Sequence, residues 1–395
     1  MLRKHSLAVL ASAFILASTQ LSGAAAPTID PADDARHFGS ADNILFWTPQ
    51  QQVAGYRNQD KIFPVRKIQV GGVPYPLPNQ PMDLGEVKIG QGDSLMTVND
   101  YFREQNVAGL LVIKNGAIVY ERYGLGNTEH SRWVSFSVSK SVTSMLVGAA
   151  IQDGYIESLD EKVTDYLPRL KGSPYAESTI RSILQMSSGV AWNEDYADRN
   201  ADINQVEWNT LQMYRYLNTL SREHAPGEVF NYNTAETNLV GNLLRAAIGN
   251  NLSTYLTDKI WQPFGMEADA YWELTEAGGG EFGGCCINAT LRDYGRIGMF
   301  ALREGQLRDG TRVLPKNWMG ESTSPSKPYA GYGYLWWLNP DKSYQATGIF
   351  GQGIYINRRE NVVIALHSAR ADASKPADWV LQDALFRALS GALAH

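Results

Sequence analysis

The sequence predicts a mixed α/β protein of the α+β kind: an antiparallel sheet flanked by helices, with a mainly helical insertion at about 141–296. Three observations carry that prediction. Residues 109–123 read as a β-hairpin, two apolar β-branched runs joined by the Asn115-Gly116 pair that a type I′ turn prefers. The chain returns to strand signals at 332–337, 348–357 and 362–366, and the stretch between the two β regions has helical periodicity. An antiparallel sheet can recruit strands from both ends of a chain, so the middle becomes an insertion and a cleft is expected between the two parts.

Composition narrows the function. The 395 residues are 44% hydrophobic and 19% charged, which suits a globular protein with a substantial core. The net charge is −6 and no Lys/Arg stripe is interleaved with aromatics, so no nucleic-acid partner is expected. The six histidines form no His-x-x-x-His or His-Glu-x-x-His pattern, so no metal or other cofactor is expected. The only cysteines are the neighbours Cys285 and Cys286. Adjacent cysteines bridge only through a strained ring, and the expectation is two buried free thiols.

In chain order, Arg3 and Lys4, an apolar run from Leu7 to Ala17 and the small residues Ala24-Ala25-Ala26 read as a secretory signal over 1–26. The apolar run is too short for a stable anchor, and no later segment approaches the roughly 20 apolar residues of a membrane span. The expected mature chain is therefore periplasmic or secreted, with no membrane anchor. Residues 27–81, rich in Pro, Gln, Asp and Gly, read as an irregular arm wrapped over the main domain at 82–395.

Within the insertion, Leu159–Pro168 and Ile180–Gly189 read as short helices, stopped by proline and closed by glycine. A polar loop with acids follows at Trp192–Asn204, where Glu194 and Asp195 could attract a substrate ammonium group. The turn at Pro226–Thr234 leads into an apolar helix over Leu239–Ile248. The glycine run 278–284 lacks the Gly-Lys-Ser/Thr ending of a phosphate loop and reads as a loop entering a helix over Thr290–Leu302. A last helix spans about Ala377–Leu393.

One stretch carries chemistry. Ser137 and Lys140 form Ser-x-x-Lys where an extended segment gives way to a helical run with Val142, Leu146, Ala149 and Ala150 on one face. A hydroxyl at a helix N-terminus lies beside unpaired N–H groups and the positive end of the dipole. Lys140 follows one turn later on the same face, within reach of the Ser137 oxygen. Neutralised by burial, it can take the serine's proton. The competing reading is ordinary: a serine before a helix is usually a cap, and Ser135 or Ser139 could serve as well. Tyr232, at the turn before the next apolar helix, can present a phenol to the cleft, where a cationic neighbour would lower its pKa for proton transfer.

The order Ser137-x-x-Lys140, Tyr232-Asn233-Thr234, then Ala346-Thr347-Gly348 resembles the three-motif signature of the serine β-lactamase and penicillin-binding-protein superfamily. Phe230-Asn231-Tyr232, Arg292–Gly298, Trp336-Trp337 and Gly348–Gln352 most resemble its class C-like, 6-aminohexanoate-dimer hydrolase branch. The resemblance implies a β-lactamase/transpeptidase-like fold and a serine hydrolase working through an acyl-enzyme, with Ser137, Lys140 and Tyr232 catalytic. It further implies an oxyanion hole from the backbone N–H groups of Ser137 and Ile349, Gly348 at the substrate strand, and Tyr196 closing over a substrate amide. Two departures stand out: Thr234 replaces the asparagine of Tyr-x-Asn, and Ala346 replaces the basic residue that holds a carboxylate. The second points to a small neutral ester or amide as substrate. The alternatives are a β-lactamase or D-amino peptidase, and a non-catalytic binding module that would need neither Lys140 nor Tyr232. Nothing in the sequence speaks to oligomeric state.

Overall fold

The structure, a computed structural model, describes residues 26–90, 95–373 and 375–394. The expected secretory signal lies, but for Ala26, outside the described residues. In chain order the elements that place the site are helix α1 (Pro49–Arg57), strand β1 (Val65–Ile68), the hairpin β2 (Val107–Lys114) and β3 (Ala117–Tyr123), β4 (Arg132–Val134) and helix α2 (Val138–Gln152). Then come α3 (Thr234–Ile248), β5 (Ala270–Glu273), β6 (Ile287–Thr290), α4 (Leu291–Leu302), β7 (Trp337–Leu338), β8 (Tyr344–Thr347), β9 (Gly353–Asn357), β10 (Val362–Ser368) and α5 (Pro376–Ala392).

The expected antiparallel sheet is present, with strand order β3-β2-β10-β9-β8-β7. Asn115 and Gly116 turn the hairpin with φ of 52° and 80°, the left-handed pair a type I′ turn requires. Strand β2 pairs on its other side with β10, from Val362↔Lys114 to His367↔Gly109, so the two ends of the chain meet at the centre of the sheet. Alternation along β2 and β10 assigns the faces. Leu110, Val112, Ile364 and Leu366 pack with Leu385, Phe386 and Leu389 of α5. Leu111, Ile113, Val363 and Ala365 face the other core, where α4 lies close enough that a Cβ at Gly295 would sit 2.7 Å from Leu111. Each such aliphatic side chain withdrawn from water contributes about 1.5–3 kcal/mol.

The insertion is helical except where β5 and β6 pair with each other and with β1 and β4, forming a second sheet of order β1-β5-β6-β4 that the sequence reading did not anticipate. The C-terminal strands also differ from expectation. Leu335 adopts a left-handed φ of 61°, which confines the 332–337 strand to Trp337–Leu338, and residues 348–352 form the turn between β8 and β9 rather than a strand.

The stretch 27–81 is more regular than an irregular arm. Thr48 and Gln51 make a capping box that starts α1, whose last residue, Arg57, is buried. Its guanidinium pairs with buried Asp34 and donates to the carbonyls of Ile29 and Leu125 at 3.0 and 2.7 Å, tying the arm to the main body. Tyr56 of α1 packs edge-on against Trp133 and Phe136, 5.7 and 5.2 Å between ring centres. The arm therefore supports the residue preceding Ser137.

Candidate active site

The backbone of Phe136 is left-handed, with φ of 42°, an uncommon conformation for an aromatic residue. Its ring is held between Tyr56 and Phe350. Strand β4 is locked in register just before, by Ser135 N–H donating to Ile287 O at 2.8 Å and Ile287 N–H donating to Ser135 Oγ at 2.9 Å. The left-handed residue turns the chain sharply from strand to helix and leaves Ser137 at the N-cap position of α2.

Ser137 makes no side-chain capping bond, and the Ser135 and Ser139 hydroxyls donate to Phe136 O. The capping reading therefore fails for all three serines. The Ser137 hydroxyl lies 3.0 Å from Lys140 Nζ, which also lies 3.0 Å from Thr234 Oγ1 and 2.8 Å from Gly284 O. Gly284 O can only accept, and Thr234 Oγ1 donates its own proton to Glu194, so both must receive N–H bonds from Lys140. A neutral amine then has its lone pair left for the Ser137 proton. Burial brings the neutral form within reach: Lys140 is 1% exposed, and desolvation pulls its pKa down to about 8, against the opposing charge of Glu194.

Gly284 explains the end of the glycine run. A Cβ there would stand 2.9 Å from Thr234 O and 3.5 Å from Lys140 Nζ, so only glycine lets this carbonyl approach the amine.

Tyr232 stands beside the pair, stacked on Trp337, with Lys140 Nζ 5.2 Å from its ring centre. The sequence reading expected a cation to depress its phenol. Instead burial, reinforced by the charge of Glu194, raises its pKa, and a hydrogen bond with Ser137 only partly offsets this. Lys140 sits over the ring face and not at the oxygen. Tyr232 thus rests protonated, its phenol beside the Ser137 hydroxyl.

Four expected substrate contacts fare differently. Tyr196 is on the wall of the cleft, its hydroxyl donating to Glu194 at 2.7 Å and its phenol held well up by burial. Glu194 is not open to a substrate ammonium: its carboxylate accepts from Trp192 Nε1, Tyr196 OH, and both the N–H and hydroxyl of Thr234. Asp195 turns away, its exposed carboxylate accepting from Ala197 N–H to shape the loop. Gly348 lies where a Cβ would meet Ser135 O at 2.5 Å, so it lets strand and nucleophile approach, while Thr347 and Ile349 on either side form wall. The amides next to Ile349 point inward, that of Gly348 to Gln352 O and that of Phe350 to Gln352 Oε1.

Sequence reasoning missed Thr234, Gly284 and the true partners of Glu194. Only the Tyr-x-Asn departure at Thr234 was a signal, and the hydroxyl there proves to be the acceptor for Lys140. It also misjudged the cysteines. Cys285 and Cys286 are joined as a vicinal disulfide, made possible by the left-handed φ of 89° at Cys286 and by a pinned backbone: Cys285 O accepts from Trp272 Nε1 at 2.9 Å and Cys286 O from Glu273 N–H at 3.1 Å.

Two cavities meet at Tyr196 and Ile349. One, about 150 Å³, is walled by Ser137, Phe136, Trp208, Glu273, Phe282 and the disulfide. The other, about 470 Å³, is walled by Tyr232, Tyr329, Trp337, Trp379, Gln345, Thr347 and Asp383.

The beta-lactamase family model matches residues 98–385. The chain is 27% identical over 284 residues to the 6-aminohexanoate-dimer hydrolase of Paenarthrobacter ureafaciens, covering 65% of this chain and 71% of that one. It is 25% identical over 180 residues to a beta-lactamase of Pseudomonas fluorescens, covering 43% and 48%. A solved structure described as a 6-aminohexanoate-dimer hydrolase from Bacillus anthracis superposes with a TM-score of 0.78 at 21% identity, covering 90% of this chain and 98% of that one. A family VIII carboxylesterase superposes at 0.55 and 15% identity, covering 74% and 95%.

Proposed function

The chain belongs to the beta-lactamase family, and from that premise we propose that it is a serine hydrolase that cleaves a small amide or ester through an acyl-enzyme. The observation that carries this reading is the buried Lys140 amine, 3.0 Å from the Ser137 hydroxyl with Thr234 and Gly284 as its other two partners. Lys140 takes the Ser137 proton as Oγ attacks the carbonyl carbon. The oxyanion is received by the N–H groups of Ser137 and Ile349, each worth roughly 3–4 kcal/mol in such sites. Tyr232 passes its proton to the leaving nitrogen or oxygen and is reprotonated from Lys140. Water then attacks the acyl-enzyme along the reverse proton route, releasing the acid and restoring Ser137.

A neutral ester or amide fits better than a β-lactam, because Ala346 stands where a carboxylate would need a cation. For location we propose the periplasm or the exterior, a reading supported by the amino-terminal residue pattern and by a disulfide, which persists in oxidising compartments. Labelling the protein with a fluorophosphonate and, separately, a fluorescent penicillin tests the function. The expected result is a fluorophosphonate adduct that vanishes in Ser137→Ala. A long-lived penicillin adduct would favour a penicillin-recognising enzyme instead, and no adduct with either would favour a binding module.

A further inference from the structure

The larger cavity identifies the half of the substrate that leaves, given the reading of Ser137 as nucleophile. Tyr232, the phenol placed to protonate the departing atom, is on the wall of the 470 Å³ cavity and not of the smaller one, so the leaving half occupies the larger. Its wall is aromatic and acceptor-rich. Tyr232 and Trp337 are stacked with ring centres 5.6 Å apart, and Tyr329 and Trp379 complete the enclosure. The charged side chain among them is a carboxylate, Asp383. Asp383 can only accept and takes the amide N–H of Gln345 at 2.7 Å, which fixes Gln345 with its Oε1 free. That oxygen and Thr347 Oγ1 are both sealed from water without a hydrogen-bond partner. No lysine, arginine or histidine is among the described residues that form this wall.

Two other carboxylates are closed by arginine, Glu281 by Arg66 and Glu121 by Arg292. Asp383 has an amide and an open cleft. Asp383 is only half-buried, so its carboxylate can be reached from the cleft by a donor from outside the chain. Aromatic faces attract a cation, as Trp379 does on the side where the Arg370 guanidinium lies 5.5 Å from its ring centre. We propose that the leaving half of the substrate carries a basic nitrogen, a primary ammonium held within this aromatic wall and bonded to Asp383. The leaving molecule is then a diamine or an amino alcohol, and its partner product a simple carboxylic acid.

The test uses three butyramides that differ only at the far end of the leaving amine: N-butyryl-1,5-diaminopentane, N-butyryl-hexylamine and N-butyryl-6-aminohexanoate. The expected order of kcat/KM is ammonium, then methyl, then carboxylate, with roughly tenfold between neighbours, the scale of one cation–π contact with a screened ion pair. Asp383→Asn should compress the ammonium-to-methyl ratio mainly through KM, and Asp383→Lys should bring the carboxylate above the ammonium. A flat order, or carboxylate first in the native protein, overturns the inference. So does a ratio untouched by both variants, and if neither variant folds the order in the native protein still decides. Equal preference for an amine placed on the acyl half would assign the cation to the wrong cavity. Should none of the three amides, nor their ester counterparts, be cleaved, the failure belongs to the nucleophile assignment.

Discussion

Lys140 spends every bonding position inside the protein, on Ser137, Thr234 and Gly284, and Glu194 accepts from Trp192, Tyr196 and Thr234. Across the cleft, Gln345 Oε1 and Thr347 Oγ1 have no partner, and in the smaller cavity Glu273 Oε2 is likewise sealed and alone, with burial lifting its carboxyl to about 8. The two regions face the same space. One is satisfied in the absence of substrate, so its geometry is set before binding and costs little to reorganise during reaction. The other carries unmet hydrogen-bonding capacity sealed inside the wall, which destabilises the protein slightly.

The comparison breaks most severely at the nucleophile. On the proposed mechanism Ser137→Ala is expected to lower kcat/KM for a short-chain nitrophenyl ester by about 10⁴-fold or more, and full turnover in that variant would remove Ser137 from the mechanism. Tyr232→Phe keeps the stacking on Trp337 and removes only the proton, so kcat should fall by about 10²–10³-fold with little change in melting temperature. Tyr196→Phe should lower amide hydrolysis about tenfold more than ester hydrolysis, because a leaving nitrogen needs protonation more than a leaving oxygen does. Equal losses on both substrates would deny its phenol a leaving-group role.

Smaller effects sharpen the contrast. Lys140 must be neutral to act, so kcat/KM should rise with pH through its value near 8. Glu194 raises that value by its charge, and Glu194→Gln should therefore move the acid limb of the profile to lower pH; a shift upward would contradict the arrangement. Last, Thr347→Val removes a hydroxyl that bonds to nothing, whereas Thr143→Val removes one that donates to Gly283 O at 2.8 Å. The first should leave stability within about 0.5 kcal/mol, and the second should cost about 1 kcal/mol, read from denaturant midpoints.

What the sequence disclosed follows the range of the interactions involved. Ser137 and Lys140 are three residues apart on one helix, and Asn115-Gly116 dictates its turn locally, so both were legible. The second sheet was not: β5 is four residues long, with no period to detect, and exists because β1 and β6 flank it from distant parts of the chain. The bonds from Thr234 to Glu194 span 40 positions, so an acidic loop that looked open to solvent proved to be wiring for the lysine. Gly284 acts through its backbone carbonyl, which no residue type announces. The disulfide escaped because the strain of an eight-membered ring was weighed without the left-handed backbone that accommodates it.

The pairing of β2 with β10 has a consequence for how the protein comes into being. Ser137 and Lys140 are synthesised about 200 residues before Ile349 and the central strand Val362–Ser368. A growing chain therefore holds Ser137 and Lys140 before the wall opposite them exists. Closing contacts so distant in sequence is slow compared with helix formation. Late closure ties completion of the cleft to the pairing of β2 with β10, a late step of folding.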